Sequence, residues 1–453
     1  VKPRDAERSK NFFALGLVCW MYTRPAAPLQ EWINAKYESK PMVRDANLAA
    51  FKAGRNFGET AELFSPYEIK PASLKQGTYR NIVGNTAVAL GLVTAAHQAN
   101  LPLVYASYPI TPASDILHEL SKLKNFNCKT MQAEDEIAAA AIAIGAAFAG
   151  SLAVTGTSGP GLDLKSEALG LAVSLELPMV IVDVQRGGPS TGLPTKTEQS
   201  DLNHALYGGH GEAPRVVIAP TGVEDCFWAT VDAFNYAEKY QVPVILLTDQ
   251  GLATRMEVIH KPDTSKVRHE PRKTRKDANG EYKRYELTAD SVSPMGIPGE
   301  EDGQYVATGI EHDEMGHPAY TPENHVAMQT KRWAKLAPLA NGDARHASVG
   351  DATPDIALIG FGSTFGPVQE AVLKAQAEGV SVGAFYPRVL GPLPIEQLNA
   401  FTANATKVLV PEVNFTGQLA RLLRSECDFT LQSHAKCDGL PFTGEDIYEM
   451  ITE

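Results

Sequence analysis

Between Thr86 and Thr254 short apolar runs alternate with stretches of helical periodicity, and no other property of the chain narrows its folding options as far. The runs "LPLVYASYP", "CKTMQA", "SLAVTGT", "PMVIVDVQ", "RVVIAP" and "PVILLTD" are short, β-branched in places and bounded by Gly, Pro or Thr. That is the signature of strands buried on both faces. Between some of them lie residues at helical spacing: Val88, Leu92, Ala95 and Ala96 in one segment, Val223, Phe227, Val231 and Phe234 in another. Strand and helix in alternation predict a doubly wound α/β fold, a mostly parallel sheet covered on both faces. Such sheets bind ligands at the carboxyl ends of their strands.

A second, shorter α/β pattern closes the chain. "DIALIGF", "VSVGAFYP" and "KVLVPEV" read as strands, with helical "TFGPVQEAVLKAQAEG" and "LPIEQLNAFTAN" between them and "TGQLARLLRSE" after. Residues from about 259 to 350 differ: "KPDTSKVRHEPRKTRKDANGEYKR" is basic, polar and poor in large apolar groups, which predicts a solvated connector turning at Asn279-Gly280. The opening "NFFALGLVCWMYTRP" and the polar stretch after it are helical in character but too short for a core of their own. With 453 residues the chain is long enough for two or three domains. We divide it into 1–70, 80–258, 259–350 and 351–453.

A net charge of -12 disfavours nonspecific binding to phosphate backbones, so nucleic acid is not an expected partner. The five cysteines lack any C-x-x-C spacing, which signals neither a disulfide framework nor a thiolate-held metal and fits a reducing cytoplasm. No charged residue occurs from Ile137 to Leu162, yet the run is mostly Ala and Gly, interrupted by Ser, Thr and Pro. A membrane span is richer in Leu, Ile and Phe, and none is expected here.

Several familiar motifs fail on inspection. "GTSGPG", Gly156 to Gly161, follows a strand but lacks the Lys-Ser/Thr of a phosphate-binding loop. Its glycines still permit close backbone approach to a ligand or a neighbouring chain. "GPSTG" has the G-x-S-x-G spacing, but Ser190 leads into loop-like "LPTKT" where a nucleophile elbow needs a helix. More informative is "TMQAEDEIAAAAIAIGAAFAG", which sets Glu134, Asp135 and Glu136 at a strand end and the first turn of an Ala-rich helix. Capping accounts for one of these acids, at about 0.3 to 1 kcal/mol from the helix dipole, but three exceed that need. A metal cluster is disfavoured because no His accompanies them.

A carboxylate after a strand, then a small-residue helix with Gly145 nine residues beyond Glu136, resembles the pyrimidine-binding module of thiamine diphosphate enzymes. Two further stretches, "YPITPAS" (Tyr108 to Ser114) and "QRGGPSTGLPTKTEQSDL" (Gln185 to Leu202), are similar to signatures of the α subunit of 2-oxoacid:ferredoxin oxidoreductases. "TDQGLATR", "GIEHDEMGHP", "ENHVAMQTKR" and "VPEVNFTGQLA" extend the resemblance over nearly the whole chain from Asn85 onward. The opening resembles the end of the γ domain that some members carry ahead of α, most of which is missing from this sequence. The resemblance makes 80–258 the pyrimidine-binding domain and 351–453 a smaller domain like the C-terminal domain of transketolase.

The resemblance also implies chemistry. Glu136, with Glu134 as second candidate, would hydrogen-bond N1′ of the cofactor's aminopyrimidine, and burial would raise its carboxyl so that it shares a proton with the ring. Tyr108, Pro109 and Ile110 would lie beside the cofactor. Thr111 and Arg186 would hold the substrate, a guanidinium gripping a carboxylate through two parallel hydrogen bonds. The family's diphosphate and Mg2+ motif, G-D-G…N, does not occur here, nor do C-x-x-C pairs for an iron-sulfur cluster. A β subunit is therefore expected to carry Mg2+ and a [4Fe-4S] cluster, with thiamine diphosphate at the α/β interface, coenzyme A as co-substrate, ferredoxin as acceptor and an (αβ)2 heterotetramer as assembly. "RGGPSTGLPT" and the γ-before-α order point to 2-oxoglutarate. Pyruvate or another 2-oxoacid, and a non-catalytic binding module that kept the fold, stand as alternatives.

Overall fold

The computed structural model describes residues 7–61, 67–70, 72–275, 281–340 and 345–453. The turn expected at Asn279-Gly280 lies outside the described residues. The chain divides into two units, Val1–Gly77 and Thr78–Glu453.

In the first unit three helices, α1 (Lys10–Met21), α2 (Ala27–Lys36) and α3 (Pro41–Ala61), bury Cys19, Ile33 and Phe51 between them. Glycines set the α1–α3 crossing: a Cβ on Gly16 would collide with the Phe51 carbonyl, and one on Gly54 with the Phe13 carbonyl. Backbones approach that closely only where side chains are missing.

The second unit is built on a seven-stranded sheet. Its members are β2 (Leu103–Ser107), β3 (Cys128–Gln132), β4 (Leu152–Thr157), β5 (Met179–Gln185), β6 (Val216–Ile218), β7 (Pro243–Asp249) and a late strand, β12 (Val389–Gly391). The order is β12-β6-β7-β5-β4-β2-β3, and every pairing is parallel except the antiparallel β12–β6. All six strands read from the sequence are present. Because strand side chains alternate in direction, one sequence serves two cores. Val180, Val182, Val244 and Leu246 face α4 (Gly84–Ala99) and α9 (Val223–Tyr240). Met179, Ile181, Ile245 and Leu247 join the opposite core with Ala143 and Ala147 of α6 (Glu136–Phe148) and Leu162, Leu169 and Ala172 of α7 (Gly159–Ser174). Strand β1 (Tyr79–Val83) pairs antiparallel with the distant β8 (Met256–His260) and leads into α4.

The terminal segment forms a second sheet from β9 (His346–Gly350), β10 (Ile356–Ile359), β11 (Val382–Pro387), β13 (Lys407–Glu412) and β14 (Gln432–Ala435), in the order β14-β13-β10-β11-β9, parallel except at β9. It is not closed off from the first. Strand β12 crosses to extend the seven-stranded sheet, and Phe361, Leu390, Leu393 and Leu419 share one apolar cluster with Ile181 and Leu202.

Within 259–350, Lys261, Lys266 and Arg268 are exposed as a solvated connector would have them, but that expectation fails at several buried basic residues. Arg272 is buried and forks onto Glu238 through Nε and Nη2, both at 2.8 Å. Arg284 is fully buried and donates to the Glu176 carbonyl at 2.8 Å. From α11 (Pro322–Ala334) and just beyond, Lys331 and Lys335 reach the two oxygens of the same buried Glu176 carboxylate, at 2.6 and 2.8 Å. The positive charges are neutralised by core carboxylates instead of water. No helix among the described residues is long and apolar enough to cross a membrane.

Candidate active site

Four connections leave the carboxyl ends of four adjacent strands, β5, β4, β2 and β3, and together they carry every residue singled out from the sequence. After β2 come Tyr108 to Thr111, after β3 Glu134 to Glu136, after β4 the glycine loop, and after β5 Arg186.

Tyr108 is buried, and its hydroxyl shares a hydrogen bond of 2.9 Å with Thr157 Oγ1 at the end of β4. Burial pushes this phenol well above its usual range, with Glu136 nearby acting in the same direction. Pro109 is exposed and Ile110 half-buried. The Ile110 N–H donates to Ser114 Oγ at 2.8 Å, so the turn is fixed by its own short loop. Thr111 is exposed. Its carbonyl accepts a hydrogen bond from Arg186 Nη1, which ties the two expected substrate-holding residues directly together. Arg186 is only 5% exposed, and its Nε is buried without a partner. A buried guanidinium with one edge anchored and a donor to spare is suited to an anion.

Among the three acids the structure divides the labour. Asp135 is the N-cap of α6, its carboxylate accepting from the Ala138 N–H at 2.8 Å. Glu134 is exposed, while Glu136, the first helical residue, is half-buried beside Tyr108 and Gly161. The expected shielding of Glu136 is not supplied by this chain: Glu136 is only half-buried, and two apolar residues near it in sequence, Met131 on β3 and Ile137 on α6, are 46% and 58% exposed. Gly145 packs against nothing within this chain. It is exposed, and a Cβ there would meet nothing within 4 Å. The tight glycine is Gly161, where a Cβ would strike the Tyr108 hydroxyl and Thr157 Oγ1 and lie 3.1 Å from Glu136 Cγ. The glycine loop thus serves close approach within the chain, as does Gly156 against the Tyr105 hydroxyl. Ser190 is exposed, and no helix follows it before α8 (Leu202–Tyr207), so no nucleophile elbow exists there.

The sequence reading missed a polar nest beneath these loops. On β4 and β5 the face directed at α6 and α7 runs Ala153, Thr155, Thr157 and Ile181, Asp183, turning polar at the carboxyl ends. Lys165 of α7 enters it, 1% exposed, with Nζ 2.8 Å from Thr155 Oγ1, 3.3 Å from the Glu136 carbonyl and 5.1 Å from the centre of the Tyr108 ring. Burial pulls its ammonium down to about 8, against the favourable fields of Glu136, Asp183 and Asp135. Asp183 is fully buried with neither oxygen hydrogen-bonded; burial, then Asp201 and Asp163, push it well above the carboxylate range. Asp201 is likewise raised, to about 7, by burial and then by Glu198 and Asp163. One signal was legible: Lys165 sits on the stripe of Leu162, Leu169 and Ala172, the apolar face of its helix.

The loop between Arg186 and α8 is fixed from the second sheet. Gln199 Nε2 donates to the Phe361 carbonyl at 2.8 Å, its Oε1 accepts from the Val413 N–H at 3.0 Å, and Asn414 Nδ2 donates to its carbonyl at 3.1 Å.

The donor set fits half of a thiamine diphosphate site. A half-buried carboxylate beside exposed apolar side chains matches an aminopyrimidine ring, which presents a hydrogen-bonding edge and an apolar face. Lys165 is buried and held by Thr155 and the Glu136 carbonyl, and Arg186 keeps only its Nε without a partner, so these two cations do not form an open diphosphate cradle. Among the described residues no group of three His, Cys, Asp or Glu could hold a metal ion.

Residues 94–331 match the family model described as "Pyruvate flavodoxin/ferredoxin oxidoreductase, thiamine diP-bdg", and 354–446 match "Pyruvate:ferredoxin oxidoreductase core domain II". The chain is 46% identical to 2-oxoglutarate oxidoreductase subunit KorA of Mycobacterium tuberculosis, over 99% of this chain and 68% of the relative. It is 33% identical to subunit alpha of 2-oxoacid:ferredoxin oxidoreductase 1 of Aeropyrum pernix, over 98% of this chain and 70% of the relative. Among solved structures it superposes on 2-oxoglutarate:ferredoxin oxidoreductase from Magnetococcus marinus, solved with 2-oxoglutarate, coenzyme A and succinyl-CoA bound, with a TM-score of 0.91 and 41% identity. That match covers 98% of this chain and 77% of the other.

Proposed function

The chain belongs to the family of 2-oxoacid:ferredoxin oxidoreductase α subunits, and from that membership we propose that it works in the CoA-dependent oxidative decarboxylation of 2-oxoglutarate to succinyl-CoA, with ferredoxin as electron acceptor. The observation that carries the reading is the convergence of Tyr108, Thr111, Glu136 and Arg186 on one sheet edge, with Arg186 bound to the Thr111 carbonyl.

When bound, thiamine diphosphate supplies an electron sink into which the bond to the departing CO2 can release its pair. The residues of this chain prepare for that. Glu136 holds the pyrimidine edge and shares a proton with N1′, which favours the ring form able to move a proton at its 4′-nitrogen. Tyr108, locked by Thr157, walls the pocket with Pro109 and Ile110. Arg186 uses its unpartnered Nε for the substrate carboxylate and Thr111 adds its hydroxyl, orienting the scissile bond.

The exposed Met131 and Ile137, close to Glu136 in sequence, are then part of the face that a β subunit covers. The diphosphate, Mg2+ and a [4Fe-4S] cluster belong to that partner, and the assembly is an (αβ)2 heterotetramer. Free thiols at all five cysteines suit the reducing cytoplasm. The similarity to 2-oxoglutarate enzymes at 46% and 41% identity supports 2-oxoglutarate over pyruvate.

The test is the purified α/β complex given 2-oxoglutarate, CoA and ferredoxin, with CO2 release as readout. Glu136→Gln, in a complex of unchanged mass, is expected to lower turnover by about 100-fold or more. Wild-type turnover in that variant, or a preference for pyruvate, would refute the corresponding part of the proposal.

A further inference from the structure

Lys165 has no role in the reading above, and its placement asks for one. A lysine ammonium is rarely buried unless charge or hydrogen bonds hold it, because desolvation costs several kcal/mol. Here the hydrogen-bonding acceptors are the Thr155 hydroxyl and the Glu136 carbonyl, with the Tyr108 ring in cation–π range, and among the described residues no carboxylate forms an ion pair with it. The bond to Glu136 runs between residues 29 apart in sequence and joins α7 to the first turn of α6. Both elements that would seat the pyrimidine, the Glu136 turn and the Tyr108 ring, therefore touch one ammonium.

Resting on the assignment of Glu136 to the pyrimidine, we propose that Lys165 is a positioning residue for that glutamate: its buried ammonium, seated on Thr155, fixes the first turn of α6 against Tyr108. The groups facing this ammonium are Glu136 and Asp135 on α6, Asp183 on β5 and the Tyr108 ring; Asp163, Asp201, Glu198 and Arg186 act on it through Asp183. Asp183, on β5, is buried with both oxygens unpartnered.

The proposal has a signature separate from turnover. If Lys165 acts on the cofactor site through Glu136, losing the ammonium and losing the carboxyl are not additive in cofactor affinity. In the cofactor-free α/β complex, titration calorimetry with thiamine diphosphate and Mg2+ reads that affinity. Lys165→Met, close in volume and uncharged, is expected to weaken it about tenfold in a complex of unchanged mass, and Lys165→Arg, which keeps the charge and its donors, to lose less. Thr155→Val removes the hydroxyl that seats the ammonium and is expected to weaken binding by less; it decides the matter if Lys165→Met does not assemble. Glu136→Gln separates the two layers of inference. If Glu136→Gln weakens binding while Lys165→Met or Thr155→Val binds as wild type does, or adds its full loss on top of Glu136→Gln, Lys165 has no positioning role and Glu136 stands. If Glu136→Gln itself binds cofactor with wild-type affinity, the assignment of Glu136 fails and the role of Lys165 falls with it.

Discussion

At the scale of single residues, the two glycines near the site separate what spacing suggests from what packing requires. The interval from Glu136 to Gly145 drew attention to Gly145, yet that glycine faces open space. Gly161 has neighbours on every side where a methyl would go. Gly161→Ala is expected to fold, because its backbone is helical, at a cost of about 1 to 3 kcal/mol for overpacking, and to weaken thiamine diphosphate binding in the complex by about tenfold or more as Tyr108 and Glu136 are pushed apart. Gly145→Ala is expected instead to stabilise the isolated α chain by about 0.5 to 1 kcal/mol, the ordinary gain for alanine in a helix. Thermal melting of the chain and cofactor titration of the complex read both. Wild-type affinity in Gly161→Ala would mean that the corner between Tyr108 and Glu136 is not where the ring sits. The residue types at the site were legible because chemistry restricts them to a few. Their partners were not, since Arg186 meets the Thr111 carbonyl across 75 residues of sequence.

At the scale of elements, legibility followed the hydrophobic pattern closely. Strands β2, β4, β5 and β7 are buried at every position and begin as apolar runs, as parallel strands covered on both faces must, turning polar only toward their carboxyl ends. Strand β12 has three residues and no periodicity to detect. The stretch 259–350 misled for a different reason: composition records that a residue is charged, not what neutralises it. Its cations find core carboxylates on distant elements, Lys331 reaching Glu176 across 155 residues. Glu176 is held ionised far below the usual carboxylate range by Lys335, Lys331 and Arg284, which outweigh the cost of its burial. Glu176→Gln would leave two buried ammonium groups without a counter-charge. The expected loss is about 3 to 5 kcal/mol in chemical denaturation of the α chain, and most of it should return in Glu176→Gln combined with Lys331→Met and Lys335→Met, which removes the stranded charges. If the single change costs less than about 1 kcal/mol, the cluster is wetter than its burial implies.

At the scale of the molecule, the boundary drawn near residue 350 from the two α/β patterns coincides with a change of sheet but not with a separable body. Strand β12 completes the edge of the first sheet by pairing with β6. Beside it Arg388 pairs with both Asp225 and Asp232 of α9, at 2.6 Å for the latter. Gln418 returns from the second sheet to donate to the Ser200 carbonyl at 2.7 Å and to accept from the Asn203 N–H at 2.8 Å. The loop that carries Arg186 is thus held at its far end by residues more than 200 positions later. A fragment spanning 78–350 would expose the β6 edge, take Arg388 from Asp225 and leave Asp232 with Arg345 alone, and uncover the apolar cluster shared by Ile181, Leu202, Phe361 and Leu390. It is expected to be unfolded or aggregated, whereas 78–453 should unfold in a single transition seen alike by circular dichroism and by proteolysis at either sheet. A soluble, cooperatively melting 78–350 fragment would show that the two sheets are energetically independent, and that Arg186 owes its position to the first sheet alone.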